Sequence, residues 1–476
     1  MRIFRGESDS SLQIPRPAGF RKKARLCKMP GLLEQQRAKC YPQAPDDPSA
    51  SKLHRFLIEY TYAVTMPLSS PGSKLQRLRR GSSKPIQLGF AATLGFAIVL
   101  GISVAWTPQF WGVAVLHSGI LVTACAWLFF ADDWKFPSAS IFVSVIAVWG
   151  WLQLAVFGST ARASTRTVSL EWTVAAVAFC LACQILRHSK ARNLFLAVMM
   201  WAVSAFSILA VLQMYSSPNE VLWLFPAQPN TVGTFLYKNQ FVVMIELAMP
   251  IALYSILFRK ERRFWGAVAF VALFAGAVAS GSRAGATLVL LECVIALLLA
   301  SRAGKLKLLY AVAVIPAAVL LLGATAVIAG NDQVWAHFQE VHPDAARQEL
   351  FQSTIRMFKS EPWSGYGLGA WPGIYPAYAT FDVGRVANSA HNDWMEWASE
   401  GGVIFVGSFL AIMLLSLRPA LGSVWGLGVI AVMLHSWVDY PIREPVLGVF
   451  WFCMVGALLS EHRTVERRKT IPATDY

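Results

Sequence analysis

Four short stretches of this chain hold residues that could do chemistry. In "AHNDWMEW", residues 390–397, His391, Asn392, Asp393 and Glu396 stand within six positions, directly before an apolar run. An imidazole titrates near neutrality, so His391 can take a proton from a hydroxyl nucleophile while Asp393, Glu396 or Asn392 orients it. A capping or packing histidine is the other reading. In "ASGSRAGATLVLL", residues 279–291, Arg283 sits in a Gly/Ser turn between two apolar segments. Exposed amides at a helix start and a planar guanidinium suit a phosphate. A snorkelling interfacial arginine would look the same. In "GTFLYKNQF", residues 233–241, Lys238 and Asn239 stand at the mouth of another apolar run. In "HSWVDYPIREP", residues 435–445, His435, Asp439 and Arg443 end a further one.

Other polar features are weaker. "ARQELFQSTIRMF" has near-helical apolar spacing, with Arg347 and Arg356 flanking the apolar face. "GYGLG", containing Gly365, Gly367 and Gly369, has the glycine content of a phosphate loop but not a diagnostic spacing. Tyr366, Trp371, Tyr375, Tyr378, Trp394 and Trp397 either stack on sugar rings or form an interfacial aromatic belt. His337, His342 and His391 do not have the spacing of a zinc site, and no metal or other cofactor is expected. Glu246 and Glu292 fall inside apolar runs, where a carboxylate is costly and marks either function or a protonated packing group. "CLAC", Cys180 to Cys183, also lies in an apolar run and reads as small packing residues.

The elements that must position these groups are membrane helices. The chain is 55% hydrophobic and 14% charged, and it repeats apolar runs of about 20 residues, enough to cross a ~30 Å hydrocarbon core. The reading is an all-α polytopic bundle of about twelve spans, near 87–106, 110–130, 138–157, 168–187, 194–214, 239–258, 264–279, 284–301, 306–329, 402–417, 422–438 and 445–460. It divides into a basic, unstructured arm (1–86), spans one to nine (87–329), one long loop with short helices (330–401), spans ten to twelve (402–460) and a tail (461–476). The arm has no signal-peptide layout, and Met66 offers an alternative start.

Charge sets the sidedness. The short even-numbered connections carry 12 Lys/Arg and the short odd-numbered ones five, Arg162, Arg166, Lys238, Arg283 and Arg443. The positive-inside rule then puts both termini in the cytoplasm. The loop 330–401, with four Lys/Arg against nine Asp/Glu, faces the other side together with the connections holding Lys238, Arg283 and Asp439. The net charge of +15 invites a nucleic-acid reading, but +11 of it lies in residues 1–86. That is the pattern of a cytoplasmic terminus near anionic lipid, so no nucleic-acid partner is expected.

Taken together, "GTFLYKNQF", "SGSRAG", the "GYGLGAW…AHNDWMEWASEGG" loop and "HSWVDYP" resemble the O-antigen ligase/polymerase superfamily of bacterial envelope glycan assembly, over roughly residues 85–460. The resemblance implies a multi-pass enzyme of the bacterial inner membrane that uses neither metal nor nucleotide sugar. On its periplasmic face it would move a glycan from undecaprenyl diphosphate to an acceptor hydroxyl on another glycan or on lipid A-core. It also implies that Arg283, with Lys238 or Arg347, holds the diphosphate and that His391 acts on the acceptor. Asn239, Gly367, Asp393, Glu396 and Asp439 complete the expected substrate site. A secondary transporter for a small anion such as bicarbonate is the alternative, and it would put its binding groups near the midplane. A non-catalytic assembly component is the third reading.

Overall fold

A computed structural model describes residues 71–107, 110–131, 134–228, 231–307, 345–380 and 386–470. The chain divides into two units, Met1–Gln76 and Arg77–Tyr476. Of the first, the described residues are the opening turns of a helix; the second carries the architecture. The basic arm before Pro71, the ninth expected span (306–329) beyond Lys307, and His337 and His342 lie outside the described residues.

The protein is an all-α polytopic membrane protein. Its described α-helices are α1 (Pro71–Val104), α2 (Phe110–Leu128), α3 (Ser140–Leu152), α4 (Arg162–Ile185), α5 (Ser189–Ser216), α6 (Lys238–Phe258), α7 (Arg263–Ala279), α8 (Arg283–Arg302), α9 (Ala345–Ser360), α10 (Trp371–Ile374), α11 (Asp393–Gly422), α12 (Leu427–His435) and α13 (Pro445–Thr470). Among the described residues, ten helical segments are long and apolar enough to cross a membrane. Helices are the natural solution there, because each satisfies its backbone polar groups within one segment. The one sheet among the described residues pairs Glu220–Val221 antiparallel with Phe225–Pro226, in the connection before α6.

Side-chain size decides how the helices meet. α6 and α13 are the most enclosed spans. α13 packs along α4, and α6 is surrounded by α5, α7, α8 and α12. Small residues bring backbones together. A Cβ at Gly276 would come within 2.7 Å of the Ser207 side chain, and one at Gly456 within 2.8 Å of the Phe179 carbonyl oxygen. Trp172 of α4 meets Trp397, Phe405 and Phe409 of α11 and Phe452 of α13 edge-on, at 5.3–6.3 Å between centroids. This aromatic knot ties the helix that follows the long loop to the rest of the bundle.

Two expectations need correction. The stretch 422–438 is not a full-length span: a short 3-10 turn, Val424–Gly426, leads into the nine-residue α12. From Val424 to His435 an α-helix rises only ~18 Å. It still connects the two ends of the bundle. Trp425 shares a cavity with Tyr254 and Phe258 at the C-terminal end of α6, while Asp439 bonds Asn239 at its N-terminal end. The contact is close because Gly428 lies directly against the backbone of Glu246. The second is that the first helix begins at Pro71, within the stretch 1–86 read as an unstructured arm. The tenth span keeps a start near 402, and a separate helical piece precedes it. α11 starts at Asp393 and breaks at Gly402, whose φ of 69° interrupts the helix.

The helix ends sort into two groups. At one end meet the connections around 160, 237, 281, 393 and 439, shown by Thr160 to Tyr366, Lys238 to Gly281, Asn239 to Asp439 and Asp393 to Ser436. At the other meet those around 135, 187, 259 and 461, shown by Lys135 to Gln184 and Arg192 to Glu461. These are the two groups into which charge counting sorts the connections.

Candidate active site

The site is assembled on the start of α11. Asn392 caps that helix, its Oδ1 accepting from the Met395 amide at 3.0 Å, and its Nδ2 donates to the Trp437 carbonyl at 2.8 Å. The Asp393 amide donates to the carbonyls of Ser436 and Asp439, at 2.9 and 3.0 Å. Its carboxylate accepts from Ser436 Oγ and the Ile442 amide, at 3.0 and 3.1 Å. Asp393 is therefore a buried clamp between two loops.

His391 precedes the cap, with a φ of 51°. This left-handed conformation is uncommon for a residue with a Cβ and is maintained by surrounding structure. It turns Nδ1 to within 3.3 Å of Asp439 Oδ1 and directs Nε2 away from the pair. Asp439, 2% exposed, also accepts from the Asn239 side-chain amide and from the Tyr440 amide. Burial pushes its carboxyl up, but His391, Asn239 and His435 outweigh that and hold it below the usual carboxylate range. Tyr440 and Tyr237 border the imidazole, at 5.0 and 6.2 Å between ring centroids. Burial, together with Tyr237 and Asp439, raises the Tyr440 phenol, which keeps its proton.

The cations come from three other elements. Lys238 opens α6, and its Nζ donates to the Gly281 carbonyl at 3.5 Å. Ser282 caps α8 by accepting from the Gly285 amide, which places Arg283 in its first turn. Gly285 lies against Val242, so α6 and α8 approach closely with both cations at the same end. Arg347 lies in the first turns of α9. The charges of Arg283, Arg347 and Asp439 all bear on the Lys238 ammonium. Arg283 and Arg347 are exposed. Lys238, Arg283, Arg347, Asn239, His391 and Asp439 thus form one cluster.

Other candidates have structural partners. Glu396 accepts from the Ala390 amide and pairs with Arg443, whose Nη1 also donates to the Asn388 carbonyl. Glu396 is the main cause of a raised Arg443 pKa. Gly367, grouped with the substrate site on sequence, is instead a packing residue. Its φ is 111°, its amide donates to the Glu400 carbonyl, and a Cβ would land on Ser159 Oγ. Trp371, Tyr375, Trp394 and Trp397 are buried, so their faces serve packing and not a ligand.

Two groups were missed, Gln153 and Glu349, and so was the pairing of His435 with Glu246. Gln153, in a π-helical turn that follows α3, donates to the carbonyls of Ser364 and Glu400 and accepts from the Leu368 amide. A lone glutamine in "WGWLQLAVF" was the available signal. Glu349 anchors α9: its carboxylate accepts from the Thr380 amide and hydroxyl, Ser353 and Arg356. Burial pushes that carboxyl up, but these donors bring it down to about 2. His435 Nδ1 and Glu246 Oε1 form a fully buried pair at 2.7 Å below Asp439. Among the described residues, no group of three His, Cys, Asp or Glu could hold a metal.

Residues 268–410 match the family model described as O-Antigen ligase. The matched segment contains Arg283, Arg347 and His391, whereas Lys238, Asn239 and Asp439 lie outside it and join the cluster through the fold. No curated protein matches the chain.

Proposed function

We propose that this chain, which through residues 268–410 belongs to the O-antigen ligase/polymerase superfamily of glycan-transferring membrane enzymes, moves a glycan from a polyprenyl diphosphate to an acceptor hydroxyl at the end of the bundle where His391 lies. The donor is a glycan on undecaprenyl diphosphate, and the acceptor is another glycan or lipid A-core. The membrane is the bacterial inner membrane, with the site on its periplasmic face and both termini in the cytoplasm.

One observation carries this reading: three cations and a His–Asp pair converge where the membrane helices end. In the reaction the bond between the sugar's anomeric carbon and the diphosphate oxygen breaks, and one from that carbon to the acceptor oxygen forms. The leaving diphosphate stays on its lipid and gains negative charge. Lys238, Arg283 and Arg347 would take up that charge, and a preorganised charge loses little to reorganisation as charge develops. The acceptor's proton goes to His391 Nε2. Asp439 fixes the ring through Nδ1 and stabilises the imidazolium that forms. Such a base typically contributes 10²–10⁴-fold. Asn239 and the Tyr440 amide hold the aspartate, and Asp393 and Glu396 hold the loop that carries the histidine.

The test is transfer by the purified protein in lipid, from an undecaprenyl diphosphate-linked glycan to lipid A-core or to a second lipid-linked glycan. Product with either acceptor supports the reading and separates ligase from polymerase. No product with any acceptor, from protein that binds the donor, would count against it.

A further inference from the structure

The other end of the bundle has a groove that the glycan site does not use. It lies between the start of α5, the end of α6 and the start of α7, and has a volume of about 410 Å³. That is within the usual range for small-ligand pockets, roughly 300–1,000 Å³. Its floor is apolar, made by Leu196, Met200 and Ile251. Arg259 and Arg262 stand at its rim, where the helices end. Trp201 and Trp265 form one wall, 5.9 Å apart at 72°, and are 39% and 55% exposed. Arg259 is preset: its Nε donates to the Tyr254 hydroxyl at 3.1 Å, and its guanidinium lies over the Tyr254 ring.

Apolar floor, amphipathic aromatic wall and two guanidiniums at the membrane boundary fit one class of molecule. A phosphate of single negative charge would lie between the arginines. Its acyl chains would follow Leu196 and Met200 into the hydrocarbon. The tryptophans belong at headgroup depth, and basic pockets between helices are a known way of holding anionic headgroups. Arg192, nearby on α5, is already paired with Glu461 at 2.6 Å, so the rim charge comes from the 259–263 turn.

We propose that this groove is a binding site for an anionic phospholipid, with Arg259 and Arg262 on the phosphodiester and the acyl chains on the apolar floor. It lies at the opposite end of the bundle from His391, so its failure would leave the glycan-transfer reading untouched.

The experiment uses detergent-solubilised full-length protein equilibrated with equimolar phosphatidylglycerol and phosphatidylcholine, with retained lipid measured by native mass spectrometry. The wild type should retain phosphatidylglycerol preferentially. Arg259→Gln with Arg262→Gln should lower that retention by roughly tenfold and leave phosphatidylcholine unchanged. The double lysine variant should keep part of it, because the charge remains without the planar fork. It also shows that the turn tolerates substitution. Lys190→Gln with Lys260→Gln removes the same charge from the same end outside the groove, and should change nothing. Equal retention of both lipids by the wild type would overturn the proposal, as would an undiminished preference in the double glutamine variant. An equal loss in the Lys190/Lys260 control would assign the effect to diffuse surface charge. Full displacement by soluble glycerol phosphate at the lipid's own concentration would show that the chains play no part, and would also overturn it.

Discussion

At the scale of single residues, His391 and Asp439 should behave as one unit. Asparagine is the informative replacement for His391, because it tolerates the left-handed backbone that a φ of 51° demands. His391→Asn should accumulate normally, bind the donor and lose about 10²–10⁴-fold in turnover. Asp439→Asn keeps the size of the side chain but removes the negative charge that steadies the imidazolium, so turnover should fall again. The double variant should be little worse than His391→Asn alone, since residues acting through one another are non-additive. Transfer rates of the three variants at matched amounts in membrane check this. Additive losses would break the pair into independent roles. At Arg283, alanine should abolish most transfer and lysine should restore part, because lysine keeps the charge but loses the bidentate geometry. If both variants kept full rates, Arg283 would be an interfacial anchor.

At the scale of elements, two devices hold the site. The first is the break in α11. Gly402, with φ of 69°, faces the Trp363 carbonyl so closely that a Cβ would land on its oxygen. Gly402→Ala should therefore cost about 1–3 kcal/mol from the conformation alone, plus the clash. The check is the thermal midpoint and yield of the purified variant, and an unchanged midpoint would refute the argument. The second device is Glu349, which pins α9 and with it Arg347. Its folded pKa, about 2, lies below the ordinary value of 4.5. A depressed carboxyl contributes stability above its unfolded pKa and loses it as pH falls through the folded one. Glu349→Gln should thus speed hydrogen exchange of 345–360 at pH 6. The difference from the wild type should shrink as pH drops below 4.5 toward 2. A difference that stayed constant with pH would mean that the carboxylate's charge is irrelevant.

At the scale of the whole molecule, the two groups of helix ends predict opposite accessibility. Single cysteines placed at 360 and at 260, in a background stripped of the native cysteines, should react with a membrane-impermeant maleimide from opposite sides. In intact cells position 360 should label and position 260 should not. Labelling of both from outside would break the arrangement of helix ends and the placing of the site with it. The arrangement has a physical basis. Under the proposed function, a charged, water-exposed reaction centre needs the membrane surface, while a lipid-borne donor needs helices to lie against.

What the sequence determined by itself was the class of molecule and the chemistry available to it. Apolar runs of membrane length can fold only as helices, and charge parity sorts their ends. His391, Arg283, Lys238, Arg347 and Asp439 could be named as candidates because they lie at span ends on the side where the positive-inside rule leaves few cations. Only the tertiary structure decided which of these residues meet. Asp439 pairs with His391 across 48 residues and with Asn239 across 200. Pairing over such distances depends on helix packing, and no local pattern encodes it. The same holds for Gly367, whose glycine character serves contact with Ser159 rather than a phosphate, and for the short α12, whose Gly428 lies against the α6 backbone at Glu246. Asp393 and Glu396 looked like site residues because they are acidic and adjacent. Their partners, Ser436, Ile442 and Arg443, lie more than 40 residues away and become visible only when the chain folds back on itself.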